Sequence, residues 1–219
     1  DRADALLLAG DLTRRGTGAE AALGVAELAE VIDAGVPVVA VLGNHDFHAD
    51  EVDELTAELT AGGVQVLDGT TTVVEAEGVR VGVAGVKGFG GGFAGACGTA
   101  FGEPMMKAFV GETEREAAKL RAALAGLATD HRIALVHFSP VPETLAGERP
   151  EIFPFLGSHL LAEAIDAAGA DLVLHGHAHH GSERGVTPGG TRVRNVALPV
   201  IGHAYRVYEF APRPAAARA

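Results

Sequence analysis

Residues 36–46 read "VPVVAVLGNHD". Val38 to Leu42 is apolar at every position, the pattern of a strand buried on both faces, and it is bounded by Pro37 and Gly43. It runs straight into Asn44, His45 and Asp46, groups that are costly to strip of water unless something compensates them. The same ending recurs along the chain. "ALLLAG" (5–10) runs into Asp11, "RIALVH" (132–137) ends in His137, and "ADLVLHGHAH" (170–179) ends in His177 and His179.

Between these runs the apolar spacing is helical. Val25, Leu28 and Ile32 form one stripe stopped by Gly35, and Val52, Leu55 and Leu59 form another that ends at Gly62-Gly63. Thr113 and Glu116 stand at capping-box spacing and predict a helix over 113–127 with Ala117, Leu120, Leu124 and Leu127 buried; Ser158 starts another helix. Short strands are expected at 64–67, 71–75 and 79–86, with a closing set of strands over 185–210. Alternating strands and helices are the signature of a layered α/β domain. One domain is expected over 1–210, followed by a disordered tail at 211–219, which has no apolar periodicity.

Composition narrows the partners. With 219 residues and 47% hydrophobic content the chain can bury a sizeable core, and no apolar run approaches the roughly 18 residues of a membrane span. A net charge of −12 with no Lys/Arg cluster argues against nucleic acid or a lipid surface; a small phosphoester substrate stays compatible with it, because bound divalent cations reverse the local potential. The single Cys97 rules out an intrachain disulfide and a cysteine metal cluster, so any metal must use His, Asp, Asn and Glu. No leader precedes the first strand, which suggests a cytoplasmic protein, although the chain begins with Asp1 and not Met. Oligomeric state is not legible.

In open α/β sheets the carboxyl ends of neighbouring strands lie side by side, so strand-end groups distant in sequence converge. Taken singly, a strand-end His is more often a satisfied core group than a ligand, and Gly-Asp is an ordinary turn. Four strand ends together reverse that weighting. One carboxylate, one amide oxygen and three imidazoles make a mixed nitrogen and oxygen set suited to Mn, Fe, Zn or Co. Gly10, Gly43 and Gly176 precede three of these groups and let the chain leave the strand sharply.

Gly10-Asp11, Gly43-Asn44-His45-Asp46, His137 and Gly176-His177-Ala178-His179, in that order, resemble the pattern of the calcineurin-like metallophosphoesterase superfamily. The resemblance implies a four-layered α/β/β/α sandwich, the metallo-dependent phosphatase-like fold, with two divalent metal ions (Mn, Fe or Zn) between the sheets. It implies that Asp11 bridges both ions, that Asn44, His137 and His177 complete the second, and that His179 belongs to the first. It makes His45 the catalytic acid or hydrogen-bond donor, oriented by Asp46. The reaction implied is attack of a metal-activated hydroxide on a phosphoester. The pattern's opening D-x-H belongs roughly 30 residues before Asp11. Residues 1–10 hold no His, so the N-terminal strand and helix are expected to be missing and the first metal site weak or empty. Asp46-Phe47-His48 also spells D-x-H, but it follows a ligand within one loop and is read as substrate-facing or solvated.

"GDLTRRG" and "VLGNHD" lack the forms typical of Ser/Thr protein phosphatases and look more like the bacterial phosphodiesterase-like branch, so a phosphodiester is preferred to a monoester. The alternative from a different class is a non-catalytic scaffold of the same fold, as in the metallophosphoesterase-like subunit of the retromer coat. "GVKGFGGGFAGACG" (85–98) lacks the order of a nucleotide-binding P-loop and reads as a mobile loop near the site, with Phe89 and Phe93 as candidate covers and Lys87 as a candidate phosphate contact. Residues 137–153 are expected to wall the pocket, and His175, His180 and His203 to be ordinary polar residues or supports. His131 and His159 are expected to be solvated, as are Arg192, Arg194 and Arg206.

Overall fold

The computed structural model describes residues 3–211. The predicted tail, apart from residue 211, lies outside them. In chain order the elements are β1 (Leu6–Ala9), α1 (Gly18–Asp33), β2 (Val38–Val41), α2 (Val52–Ala61), β3 (Val64–Val66), β4 (Thr70–Ala76) and β5 (Val79–Val86). Then follow β6 (Gly92–Phe93), β7 (Ala96–Cys97), α3 (Pro104–Ala125), β8 (His131–Val136), α4 (Phe153–Leu156), α5 (His159–Ala168), β9 (Leu172–His175), β10 (Arg184–Val186), β11 (Arg192–Asn195) and α6 (Leu198–Ile201).

Two main sheets result. β1, β2 and β3 pair in parallel in that order, and a six-stranded sheet runs β10-β11-β9-β8-β5-β4. The larger sheet is parallel at its centre and antiparallel at both edges. Side-chain alternation assigns the layers. In β2, Val39 and Val41 face Val83, Ile133, Leu135, Leu172 and Leu174 of the other sheet, whereas Val38 and Ala40 pack with Leu55 and Leu59 of α2. On the far face of the larger sheet, Ala84, Val86, Ala134, Val136 and Val173 pack against Leu120 and Leu124 of α3 and Leu161 and Ile165 of α5. Helix, sheet, sheet, helix is the expected four-layered α/β/β/α sandwich.

Local signals set several boundaries, at Gly35 and Ser158 as read. Thr17 caps α1 by accepting from the Glu20 amide at 3.2 Å, Gly35 closes it at φ 73°, and Ser158 caps α5 by accepting from the Leu160 amide. Three expectations fail. α3 begins at Pro104 and not at 113, because Pro at the first helical turn needs no amide donor and starts the helix nine residues earlier. Thr113 and Glu116 therefore lie in its middle and bind a neighbouring loop. The closing strands stop at β11: Pro199 and the left-handed Gly202 (φ 66°) frame the short α6, and residues 202–211 carry no helix or strand, although Tyr208 and Phe210 pack on the inter-sheet core. His131 is buried rather than solvated, with its Nε2 2.8 Å from the Ala211 carbonyl and its ring 4.9 Å from Phe210.

Candidate metal centre

The loops after β1, β2, β8 and β9 meet at one end of the sandwich. Asp11, His137 and His177 bring ligand atoms within 4.8 Å of one another. His137 Nε2 lies 3.0 Å from Asn44 Oδ1, 3.1 Å from His177 Nδ1 and 3.3 Å from Asp11 Oδ1. The structure thus gathers Asp11, Asn44, His137 and His177. His179 is exposed on the rim and stands outside the cluster.

Protons decide what this cluster is for. The other nitrogen of His137, Nδ1, lies 2.8 Å from the Ala9 carbonyl, which only accepts, so Nδ1 carries the hydrogen and Nε2 a lone pair. By the same logic His177 Nε2 donates to the Phe155 carbonyl at 3.2 Å and leaves Nδ1 as a lone pair. Two lone pairs thus face each other at 3.1 Å beside a carboxylate oxygen. A proton does not relieve this at neutral pH: burial, reinforced by the neighbouring histidines, pushes His137 and His177 each down to about 4. A cation relieves it. The donor spacings of 3.0 to 3.3 Å match the edges of a coordination polyhedron with bonds of about 2.1 Å, roughly 3.0 Å for an octahedron and 3.4 Å for a tetrahedron.

The backbone is shaped around this cluster. Gly10 turns at φ 87°, and a Cβ on Gly43 would stand 2.1 Å from Asp11 Oδ1. Gly43 is therefore required for space, not for a turn. Asp11 and His177 adopt φ 53° and 68°, left-handed values that cost a non-glycine residue about 1 kcal/mol and that cluster at functional sites.

Asp46 does not orient His45. It is fully buried, and its carboxylate accepts from the amides of Gly43 (2.7 Å), Leu12 (3.2 Å) and Thr13 (2.8 Å) and from the Thr13 hydroxyl (2.8 Å). Burial pushes its pKa up, and those donors oppose the shift. Asp46 therefore clamps the loop of Asp11 to the turn of Asn44 and His45. The His45 ring is held by the Arg14 carbonyl, 3.0 Å from Nδ1, and its amide donates to Asp11 Oδ1 at 3.0 Å. The D-x-H formed with His48 is not part of the cluster, since Asp46 is consumed and His48 is exposed.

Other supports were invisible in sequence. Asn195 Nδ2 donates to the Ala178 carbonyl at 2.7 Å and so fixes the turn between His177 and His179. The glycine-rich segment is strapped down, not free: Thr113 Oγ1 donates to the Gly90 carbonyl, Glu116 accepts from the Gly88 amide, and the Gly91 and Gly92 amides donate to the carbonyls of Pro154 and Gly157. Phe93 is buried with Leu145 and Leu156 and covers no substrate. His180 and His203 are exposed, and His159 Nδ1 lies 3.1 Å from the Gly92 carbonyl.

Residues 1–181 match the profile of the calcineurin-like phosphoesterase family. The chain belongs to the calcineurin-like phosphoesterase family. The family is one of metal-dependent phosphoester hydrolases, and that general activity is what the match supports. No curated protein matches the chain. Among solved structures this phosphoesterase is similar to phosphopantetheinyl hydrolase from Mycobacterium tuberculosis, at 17% identity and TM-score 0.64 over 90% of this chain and 79% of that one. A hypothetical protein from Thermus thermophilus matches at 17% identity and TM-score 0.42 (87% and 75% covered), and a putative 5'-nucleotidase from Staphylococcus aureus at 14% and 0.44 (78% and 34% covered). Only the first is close enough to speak to fold, and it shows the same one. Among the described residues no helix is long and apolar enough to cross a membrane.

Proposed function

We propose that this phosphoesterase hydrolyses phosphodiesters at a two-metal centre, with Asp11, Asn44, His137 and His177 around one ion and Asp11 with His179 toward the other. The reading is carried by the facing lone pairs of His137 and His177, which fit a cation and are left unsatisfied by a proton at neutral pH. Divalent cations held there would polarise the phosphoryl group and supply a nucleophile at neutral pH. His45 is the proton donor: the Arg14 carbonyl takes Nδ1–H and turns Nε2 outward, so the protonated ring can deliver a hydrogen to the leaving oxygen. A diester keeps a substituent on both sides of phosphorus, and exposed Asn44, His45 and His179 leave the rim open for it. Fewer of these residues face the second ion, so the two ions bind with unequal affinity.

The test compares bis(p-nitrophenyl) phosphate with p-nitrophenyl phosphate under Mn, Fe or Zn, alongside elemental analysis. Faster diester turnover, two ions per chain at saturation, and a loss of about 10²–10⁴-fold in kcat for His45→Ala are expected. Preference for the monoester, or a stoichiometry that never exceeds one, would overturn the corresponding part. The phosphopantetheinyl group named for the structural neighbour is a further substrate arm, at an identity that speaks only to fold.

A further inference from the structure

The strapped loop carries one side chain with unused capacity. Lys87 follows β5, and its ammonium lies 4.8 Å from the ring centroid of Phe89, 5.3 Å from that of Phe138 and 5.4 Å from that of Phe47. Those rings come from separate parts of the site. Phe47 sits two residues after His45 in the same turn, Phe138 adjoins His137 with its centroid 4.4 Å from the His177 ring, and Phe89 belongs to the strapped loop. Ring faces attract a cation and hold it in place, yet they do not replace strong acceptors.

An ammonium has three N–H donors, and Lys87 gives one to the Gly88 carbonyl at 2.9 Å. The carboxylates whose charge acts on it are otherwise engaged: Glu116 with the Gly88 amide and Lys119, Glu112 with Arg115, Asp68 with Lys119. Among the described residues Lys87 has no salt bridge. Burial lowers its proton affinity, the mark of a cation left short of compensation. Its backbone adjoins the cluster, since the Lys87 carbonyl accepts from the amides of His137 at 2.9 Å and Phe138 at 3.2 Å, and its charge acts on His137.

We propose that Lys87 is a specificity-determining residue that donates to, and neutralises, a non-bridging phosphoryl oxygen of the bound ester, with Phe47, Phe89 and Phe138 seating the ammonium. The assignment rests on the phosphoesterase reading of the site. The competing role is structural, an ammonium that only braces three rings.

Inorganic phosphate is the probe, because it offers the same oxygens and requires no turnover. Its binding to the Mn-loaded protein is measured by calorimetry for wild type, Lys87→Met and Lys87→Arg, with metal content and Tm recorded for each. Lys87→Met keeps the stem and the aromatic packing; it is expected to weaken phosphate roughly 10- to 100-fold, the scale of one charge-assisted hydrogen bond, at unchanged metal content. Lys87→Arg should stay within about threefold, since the charge and donors remain. If Lys87→Met does not fold, Lys87→Gln carries the same expectation. Unchanged phosphate affinity in a neutral variant, with or without a fall in Tm, overturns the proposal. Wild-type protein that binds phosphate through Lys87 but cleaves no ester would sink the hydrolytic reading alone, so the two failures are distinguishable.

Discussion

His175 and His177 sit two residues apart at the end of the same strand, and they are different kinds of histidine. His175 is fully buried with both nitrogens partnered: Nδ1 donates to the Gly176 carbonyl at 2.8 Å, and Nε2 takes the Thr144 hydroxyl at 2.8 Å, which is itself 2.8 Å from the Ser139 hydroxyl. His177 has one nitrogen on a carbonyl and the other against a second lone pair. Burial pushes His175 down to about 3 and His177 to about 4, so depressed proton affinity does not separate them. Partnering does. A buried imidazole completed by the protein supports the fold, and one left incomplete awaits a ligand.

The largest effect that could break this contrast is on metal. His177→Ala should abolish binding of one ion and lower kcat by on the order of 10³-fold, since several kcal/mol of charge stabilisation are lost. The apo protein should keep its Tm, because the clash of lone pairs goes with the ring. His175→Leu should do the reverse, destabilising by roughly 2 kcal/mol through stranded polar partners while metal content holds. Equal behaviour of the two variants in metal content and Tm would end the distinction.

Asp46→Ala sharpens it from the other side. Removing a buried carboxylate leaves the amides of Gly43, Leu12 and Thr13 without their acceptor and should cost about 3 kcal/mol by denaturant unfolding, with weaker metal binding as Asp11 and Asn44 separate. A stable variant with normal metal affinity would show that the clamp is dispensable.

Acidification acts on both kinds at once. His137, His175 and His177 have folded pKa values below the ordinary 6.5, so between pH 6.5 and about 4 the unfolded chain binds more protons at these rings than the folded one. Stability of the apo protein therefore falls as pH drops through that window and is flat above it. Thermal melts of the apo protein at pH 7.5, 6 and 5 should show a progressive loss of Tm. A Tm independent of pH down to 5 would mean the rings are not held neutral.

Much of the architecture was legible because the strand-end runs are apolar without interruption, and the sheet brings their ends together by topology alone. Asp11, Asn44, His137 and His177 stood out since a polar group at the end of such a run needs a reason. What was missed depends on tertiary partners. Thr113 and Glu116 have capping-box spacing, but Pro104 starts the helix earlier and frees them for a loop distant in sequence. Asn195 falls inside the closing strands expected over 185–210 and nothing in its spacing marks it; only the turn it meets gives it a role. Asp46 reads as part of a motif next to His45, while three of its four donors lie in another loop and the fourth is the amide of Gly43, the motif's first residue. His131 became buried through a C-terminal segment in which periodicity suggested a strand and the chain instead lies irregularly.

The Asp46 clamp also fixes which parts of the chain are free to vary. Thr13 and Asp46 are 33 residues apart, and the whole of α1 lies between them, so one carboxylate closes this excursion at its base as a covalent staple would. Changes on the outer surface of α1, where Leu23 is 68% exposed, are therefore insulated from the chemistry, and drift in that helix need not reach the ions. The segment is a natural place to attach a label or a tether that reports on the site without disturbing it.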